Sequence, residues 1–569
     1  MENSVFEYPP LEDVDTVRYM ILEAGKPNDD LSCILYPVRS NDAGRYLALS
    51  YVWGDPNRRD AVITCNGAPL KITKSLQDAL KEIRQTDESV SIWADAICIN
   101  QADLTERAEQ VMHMASIYRD AWKVIVYLGP DSQGNASKVF EIAERLATDE
   151  AYEDRFFRDW KNKKTHITLL KWLAGLPWFH RVWTTQEIGL AMSAMFICGA
   201  ARIEWEVLHR AFELLATRAT AQQLRTANFN PKRISSLYLS FFQENAYLSV
   251  LARMRTRHTS EPRDRIYATL HHAGARIGDE NGDRGIVRVD YNKDLQEIYI
   301  ETAVGILTRT ESLDFLSYAG FRDLSTPLPS WVPQWHADPR THLLSAGEED
   351  QFSASDGLDV GGNDEEPIFQ VYDKKLRVHG IHCDVIDWVS QDWARADLNS
   401  KPGLRIKQTW SKIKDRAYVI YGHSILQALM RTLVGGDESE TTTQDFSSFW
   451  RILWDDKAPY SQLLQSTATT VAEDKLEESA LFSAQAWYAL KGRKIFQTKG
   501  GYIGIGPQTL EKGDSLFVLC GGKVPFVLRN SGSDGYRLVG EAYVDGIMQG
   551  QVVHWLRPGG HQIVPLQMH

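Results

Sequence analysis

Ser91-Ile92-Trp93-Ala94-Asp95-Ala96-Ile97-Cys98-Ile99 is a near-continuous apolar run broken by one acid. A strand with one wet face alternates in polarity, so this run reads as a central strand covered on both faces. A helical period follows from Leu104 to Asp120, with apolar residues at Val111, Met114, Ala115, Ile117 and Tyr118, and then a strand from Lys123 to Leu128. Upstream, Leu47-Ala48-Leu49-Ser50-Tyr51-Val52 reads as a first strand. Ala61–Cys65 and Leu70–Ile72 read as a hairpin turned by Asn66-Gly67, and a helix is expected from about Ser75 to Arg84. Downstream, helices are expected over 137–147, 165–173 and 181–192, with a strand at Met195–Cys198. Alternation of this kind predicts an α/β domain with a mostly parallel sheet, over residues 45–218, after an extension of residues 1–44.

A chain of 569 residues is too long for one ordinary core, so several domains are expected. Residues 219–330 read as mainly helical. Leu328-Pro329-Ser330-Trp331-Val332-Pro333 breaks regular structure and opens a linker and mobile loop over 331–366, with Ser345–Glu366 rich in Gly, Asp, Glu and Ser. Strand alternation at Leu376–Val389 and Ile495–Trp555 predicts a β-rich module over 367–569, with a helical insertion at about 400–490. Gly501, Gly504 and Gly506 are read as turn glycines of that β structure, since no helix pattern follows them.

The formal charge of −12, without a long basic run, argues against nucleic acid as a partner. No window approaches the roughly 18 apolar residues of a membrane span, and residues 1–15 lack the pattern of a secretory signal. The six cysteines are scattered without CxxC spacing, as expected of reduced, buried thiols in a cytoplasmic protein. The histidines match no metal motif, and neither a nucleophile elbow nor a phosphate-binding loop occurs, so no metal or ATP site is expected.

Three constellations could carry chemistry. An acid within an apolar run costs free energy unless paired or hydrogen-bonded, so Asp95 needs a partner. It either faces a ligand at the carboxyl end of its strand, where Asn100 and Gln101 would join it, or accepts backbone N–H groups and braces a loop. Tyr51-Val52-Trp53-Gly54-Asp55-Pro56 ends the first strand with aromatic residues and a turn; Trp53 either stacks beside a ligand or caps the core, and alone the segment favours the cap. On a helix, Trp183 and Glu187 would be i and i+4 and share a face, a pattern common by chance on amphipathic helices.

Together, Tyr46–Gly54, Ile92–Gln101 and Arg181–Glu187 resemble, in order and spacing, the three signature blocks of the fungal heterokaryon-incompatibility (HET) domain. Arg263–Ala268, Leu328–Pro333 and Gly501–Gly504 resemble segments of large HET proteins, which extends the likeness over most of the chain. Ala94 departs from the Ile or Val common in the family and leaves the register of Asp95 intact. The resemblance implies a role in programmed cell death after fusion of unlike hyphae, and a TIR-like, flavodoxin-like N-terminal fold. By the same resemblance, Glu187 would be the catalytic carboxylate of an NAD glycohydrolase. Ser50, Tyr51, Trp53, Gly54, Asp95, Asn100, Gln101, Arg181 and Trp183 would then line the substrate site. NAD or a related nucleotide would be the substrate rather than a cofactor, with self-association and a protein partner for non-self recognition. A non-catalytic adaptor acting through assembly is the alternative, and it expects Glu187 exposed or held in a structural ion pair.

Overall fold

The computed structural model describes residues 6–55, 58–220, 223–224, 227–239, 247–279, 282–320, 327–337, 343–344, 351–356, 358, 368–391, 402–416, 418, 424–436, 439–454, 473–556 and 561–569. Two compact units result, residues 1–295 and 296–569.

The first unit is built on a nine-stranded sheet: β1 (Thr16–Leu22), β2 (Ser32–Arg39), β3 (Leu47–Tyr51), β4 (Ala61–Cys65), β5 (Ala68–Ile72), β6 (Val90–Trp93), β7 (Lys123–Tyr127), β8 (Ala194–Cys198) and β9 (Ala201–Glu204). The order is β5-β4-β2-β1-β6-β3-β7-β8-β9. Its centre, β6-β3-β7-β8, is parallel throughout. The flanks carry the antiparallel pairs β1–β2, β1–β6, β4–β5 and β8–β9. The sheet is thus mixed rather than mostly parallel, because residues 16–39, expected as an extension, supply two of its strands. Asn66 (φ 50°) and Gly67 (φ 80°) turn the β4–β5 hairpin as the sequence requires.

The helices are α1 (Lys74–Ile83), α2 (Asp95–Cys98), α3 (Leu104–Asp120), α4 (Ala136–Thr148), α5 (Glu150–Arg158), α6 (Lys164–Ala174), α7 (Thr184–Gly189) and α8 (Trp205–Arg218). Side-chain caps fix several starts. Thr73 accepts the Leu76 N–H at the head of α1, and Asp103 accepts the N–H groups of Thr105 and Glu106 at the head of α3. The apolar run around Asp95 does not stay extended. The Asp95 carboxylate accepts the Ala96 N–H at 2.8 Å, and Ile97 and Cys98 donate to the Ala94 carbonyl, so β6 stops at Trp93 and one turn of helix follows.

In the second unit the 15-residue strand Lys375–Val389 pairs with Arg493–Thr498, Ser515–Leu519 and Ile563–Met568. Helices Pro402–Ile413, Ile425–Leu433, Glu440–Trp454 and Glu473–Leu490 form the expected insertion. Leu328–Pro333 is not an open linker. Trp331 is fully buried and donates to the Lys374 carbonyl at 3.0 Å, while Ser330 donates from its N–H to the His569 carbonyl at 2.7 Å. Within the expected mobile loop, Ala354 packs into the β core; most of that stretch lies outside the described residues. Gly501 (φ 100°) does turn the chain, but Gly504 and Gly506 lie inside strand Ile503–Pro507. A Cβ on Gly504 would run into the Tyr543 carbonyl and the Phe496 ring. Among the described residues no helix is long and apolar enough to cross a membrane.

Candidate functional site

A cavity of about 530 Å³ opens at the carboxyl ends of β3 and β6. Trp53 and Gly54, just past β3, and Asp95 and Gln101, past β6, form one side. Arg181 and Trp183, from the loop entering α7, form another. Six residues expected at a substrate site are thus brought together by three chain segments.

The indole of Trp53 donates to both oxygens of Asp95, at 3.1 and 3.0 Å, and the Gln101 amide donates to the Asp95 carbonyl at 2.9 Å. Asp95 therefore braces the loop and faces the cavity at once, so the two roles open to it are not exclusive. It is partly open to the cavity yet well below the surface, and burial pushes its carboxyl up to about 6. Arg181 works against that rise, while the charge of Glu187 adds to it. For Arg181, burial opposes the charge, but Glu187 and Asp95 outweigh it and hold the guanidinium above its ordinary value.

Glu187 does not line the cavity. The helix expected over 181–192 spans only Thr184–Gly189, with Trp183 as its cap, and the Glu187 N–H donates to the Trp183 carbonyl at 3.0 Å. Sharing one helical turn does not give the two side chains one environment. Trp183 reaches the cavity and donates to Asp264 at 3.1 Å, whereas Glu187 is 1% exposed. The Glu187 carboxylate accepts the Ser50 hydroxyl and pairs with Arg181, Nη2 to Oε1 at 3.2 Å. Ser50 in turn accepts the Trp178 indole N–H at 2.7 Å. Ser50 and Tyr51 are each 1% exposed and stand behind the cavity wall. Burial, then the charge of Asp95, raises the Tyr51 phenol well above its ordinary range. Asn100 is part of the turn before α3, its side chain accepting the Ala102 N–H and its own N–H donating to Glu106 at 2.7 Å.

The remaining wall was not anticipated. Arg107, Val111 and Met114 come from one face of α3, a spacing visible in the sequence. His258, Thr259, Ser260, Asp264 and Tyr291 come from the segment after α8. Asp264 is buried and accepts from Trp183, from the Tyr291 hydroxyl at 2.9 Å and from Thr259 at 3.3 Å. The Arg263-Asp264-Arg265 motif was legible, but nothing local points it at this cavity. The segment is anchored by the Val182 N–H donating to the His258 carbonyl and the His258 N–H donating to the His180 carbonyl. Among the described residues no group of three or more His, Cys, Asp or Glu could hold a metal ion.

The fold and site define a mixed α/β unit with an open, charged cavity at the carboxyl ends of its parallel strands, followed by a β-rich unit. Residues 46–187 match the family Heterokaryon incompatibility protein (HET), and residues 440–557 match the Het-6 beta-barrel domain. The chain is 24% identical to Heterokaryon incompatibility protein 6, OR allele, of Neurospora crassa, over 92% of either chain. No solved structure matches. The chain thus carries a match to the HET domain in its first unit and is similar to a heterokaryon incompatibility protein along most of its length.

Proposed function

We propose that the chain is an effector of heterokaryon incompatibility and programmed cell death whose cavity takes NAD and hydrolyses it to nicotinamide and ADP-ribose. The observation that carries this reading is one cavity lined by Asp95, whose carboxyl burial raises to about 6, by Arg181 and by the indoles of Trp53 and Trp183. The parallel strands support it as well. In chain order they stand 2-1-3-4 across the sheet, as in flavodoxin-like folds, which bind ligands at the carboxyl ends of their strands. A TIR-like origin of the domain is consistent with that order.

Nicotinamide leaves a ribosyl carbon as a neutral group from a cationic one, so no general acid is needed. The developing oxocarbenium character is stabilised by a fixed anion more than the ground state is. Asp95 is the carboxylate placed to do this; Glu187, sealed behind the wall, holds Arg181, and the indoles stack on rings. The second reading, a non-catalytic adaptor acting through self-association or a protein partner, is favoured by that same sealing of Glu187 in a buried ion pair.

Nicotinamide release by the full chain, measured for wild type, Asp95→Asn and Glu187→Gln with the assembly state recorded, separates the readings. Loss in D95N supports cleavage by Asp95. Release that survives D95N and vanishes in a folded E187Q returns the role to Glu187. No release from wild type in any assembly state, while expression still kills cells, leaves the adaptor.

A further inference from the structure

The cavity holds more charge than glycosidic cleavage uses. Arg107 lies on the same face of α3 as Val111 and Met114, partly buried, and its guanidinium stands 4.0 Å from the centroid of the Tyr291 ring. Tyr291 is held in turn by its hydroxyl bond to Asp264, and Asp264 by the Trp183 indole. Arg181 is already committed to Glu187. Arg107 and the buried Asp264 attract each other electrostatically, through the same Tyr291 that bridges them. A guanidinium carries five N–H donors, so contact with the Tyr291 ring and hydroxyl leaves donors to offer a planar, two-pronged acceptor in the cavity. In a chain of net charge −12, such a cation facing a cavity is a local attraction for an anion.

We infer that Arg107, propped by Tyr291 and Asp264, is the phosphate-recognising residue of this cavity, so that the site takes a nucleoside diphosphate-type ligand and rejects the unphosphorylated nucleoside. Tyr291 and Asp264 lie beyond residue 187, where the HET match ends, so the segment after the HET domain completes the site and sets its ligand class. Arg107 is a binding residue, and Tyr291 and Asp264 are positioning residues. Fork-shaped Arg–phosphate pairing supplies both energy and geometry, which a lysine matches only as a point charge. This inference rests on reading the cavity as a nucleotide site, but it does not require hydrolysis.

The test is titration calorimetry of the full chain with ADP-ribose and with nicotinamide riboside, for wild type, Arg107→Gln and Arg107→Lys, with thermal unfolding of each protein recorded. Wild type should bind ADP-ribose, R107Q should bind it about 10- to 100-fold more weakly, and R107K should lose less. Nicotinamide riboside, which has no phosphate, should bind none of the three proteins detectably, and binding as tight as that of ADP-ribose overturns the inference. If R107Q does not fold, R107K makes the same comparison with the charge kept and the planar fork removed. Equal affinity of wild type and variant for ADP-ribose, or a wild type that binds none, overturns the inference. Arg107-dependent binding without nicotinamide release from NAD preserves it and removes the cleavage reading instead.

Discussion

The guanidinium of Arg181 lies 3.2 Å from the carboxylate of Glu187, and of the two only the arginine reaches the cavity. One cation thus joins two carboxylates of different standing: Glu187, shut away with Ser50, and Asp95, which faces the ligand space. Its removal should be felt first as lost stability.

Arg181→Gln leaves Glu187 buried with only the Ser50 hydroxyl beside it. Breaking one side of a buried pair costs about 3–5 kcal/mol, and the urea midpoint of the first unit's transition should fall accordingly. Adding Glu187→Gln should recover most of the loss. A drop below about 1 kcal/mol would mean that water reaches Glu187 in solution.

Asp95 makes stability depend on pH in the opposite sense to most carboxylates. Its folded value of about 6 lies above the unfolded value of about 3.9, so between these the native state holds the extra proton. The native state is therefore penalised progressively as pH rises from about 4 to about 6, and fully above that. Relative to wild type, Asp95→Asn should gain stability across that window, by at most about 3 kcal/mol, and level off above it. Urea unfolding at pH 4, 5, 6 and 7 measures this; a difference that is flat with pH means Asp95 is not raised.

All six cysteines are buried and none is in a disulfide. Burial pushes the thiols of Cys98 and Cys383 up to about 12 and that of Cys198 up to about 11. The hydrogen bond with Cys33 lowers the Cys65 thiol instead, but burial keeps reagent from all six, so Ellman's reagent should find almost no reactive thiol in the native protein at pH 8 and all six in denaturant. Fast labelling of one in the native state would expose a local opening.

Gly504 has no room for a methyl group against the Tyr543 backbone and the Phe496 ring. Gly504→Ala should cost about 1–3 kcal/mol through overpacking, read as a lower melting temperature of the second unit. Gly513→Ala, with open space around it but φ of +98°, should cost less than the crowded site if packing dominates, and as much if backbone strain does.

Much of this was readable along the chain because the signals are local. The helical period of Leu104–Asp120 gave α3 to the residue, and the Asn66-Gly67 turn fixed its hairpin. Local patterning failed where a polar group redirected the backbone, as at Asp95, and it could not assign β1 and β2 to this sheet, since their membership depends on long-range pairing. It also failed at Trp331, whose neighbouring prolines speak of a break but not of burial.

The residues along the chain decided the α/β character of the first unit, the β character of the second, and six of the residues that meet in the cavity. Periodicity and turn chemistry act over a few residues and survive in one dimension. Folding alone decided that Glu187 is sealed while Trp183, on the same turn, is open, since that depends on what packs against each side of α7. It also decided that Arg107, Asp264 and Tyr291 face one space. They are far apart in the chain, and contacts such as the anchoring of residues 180–182 to His258 and the Tyr291–Asp264 bond bring them to one space.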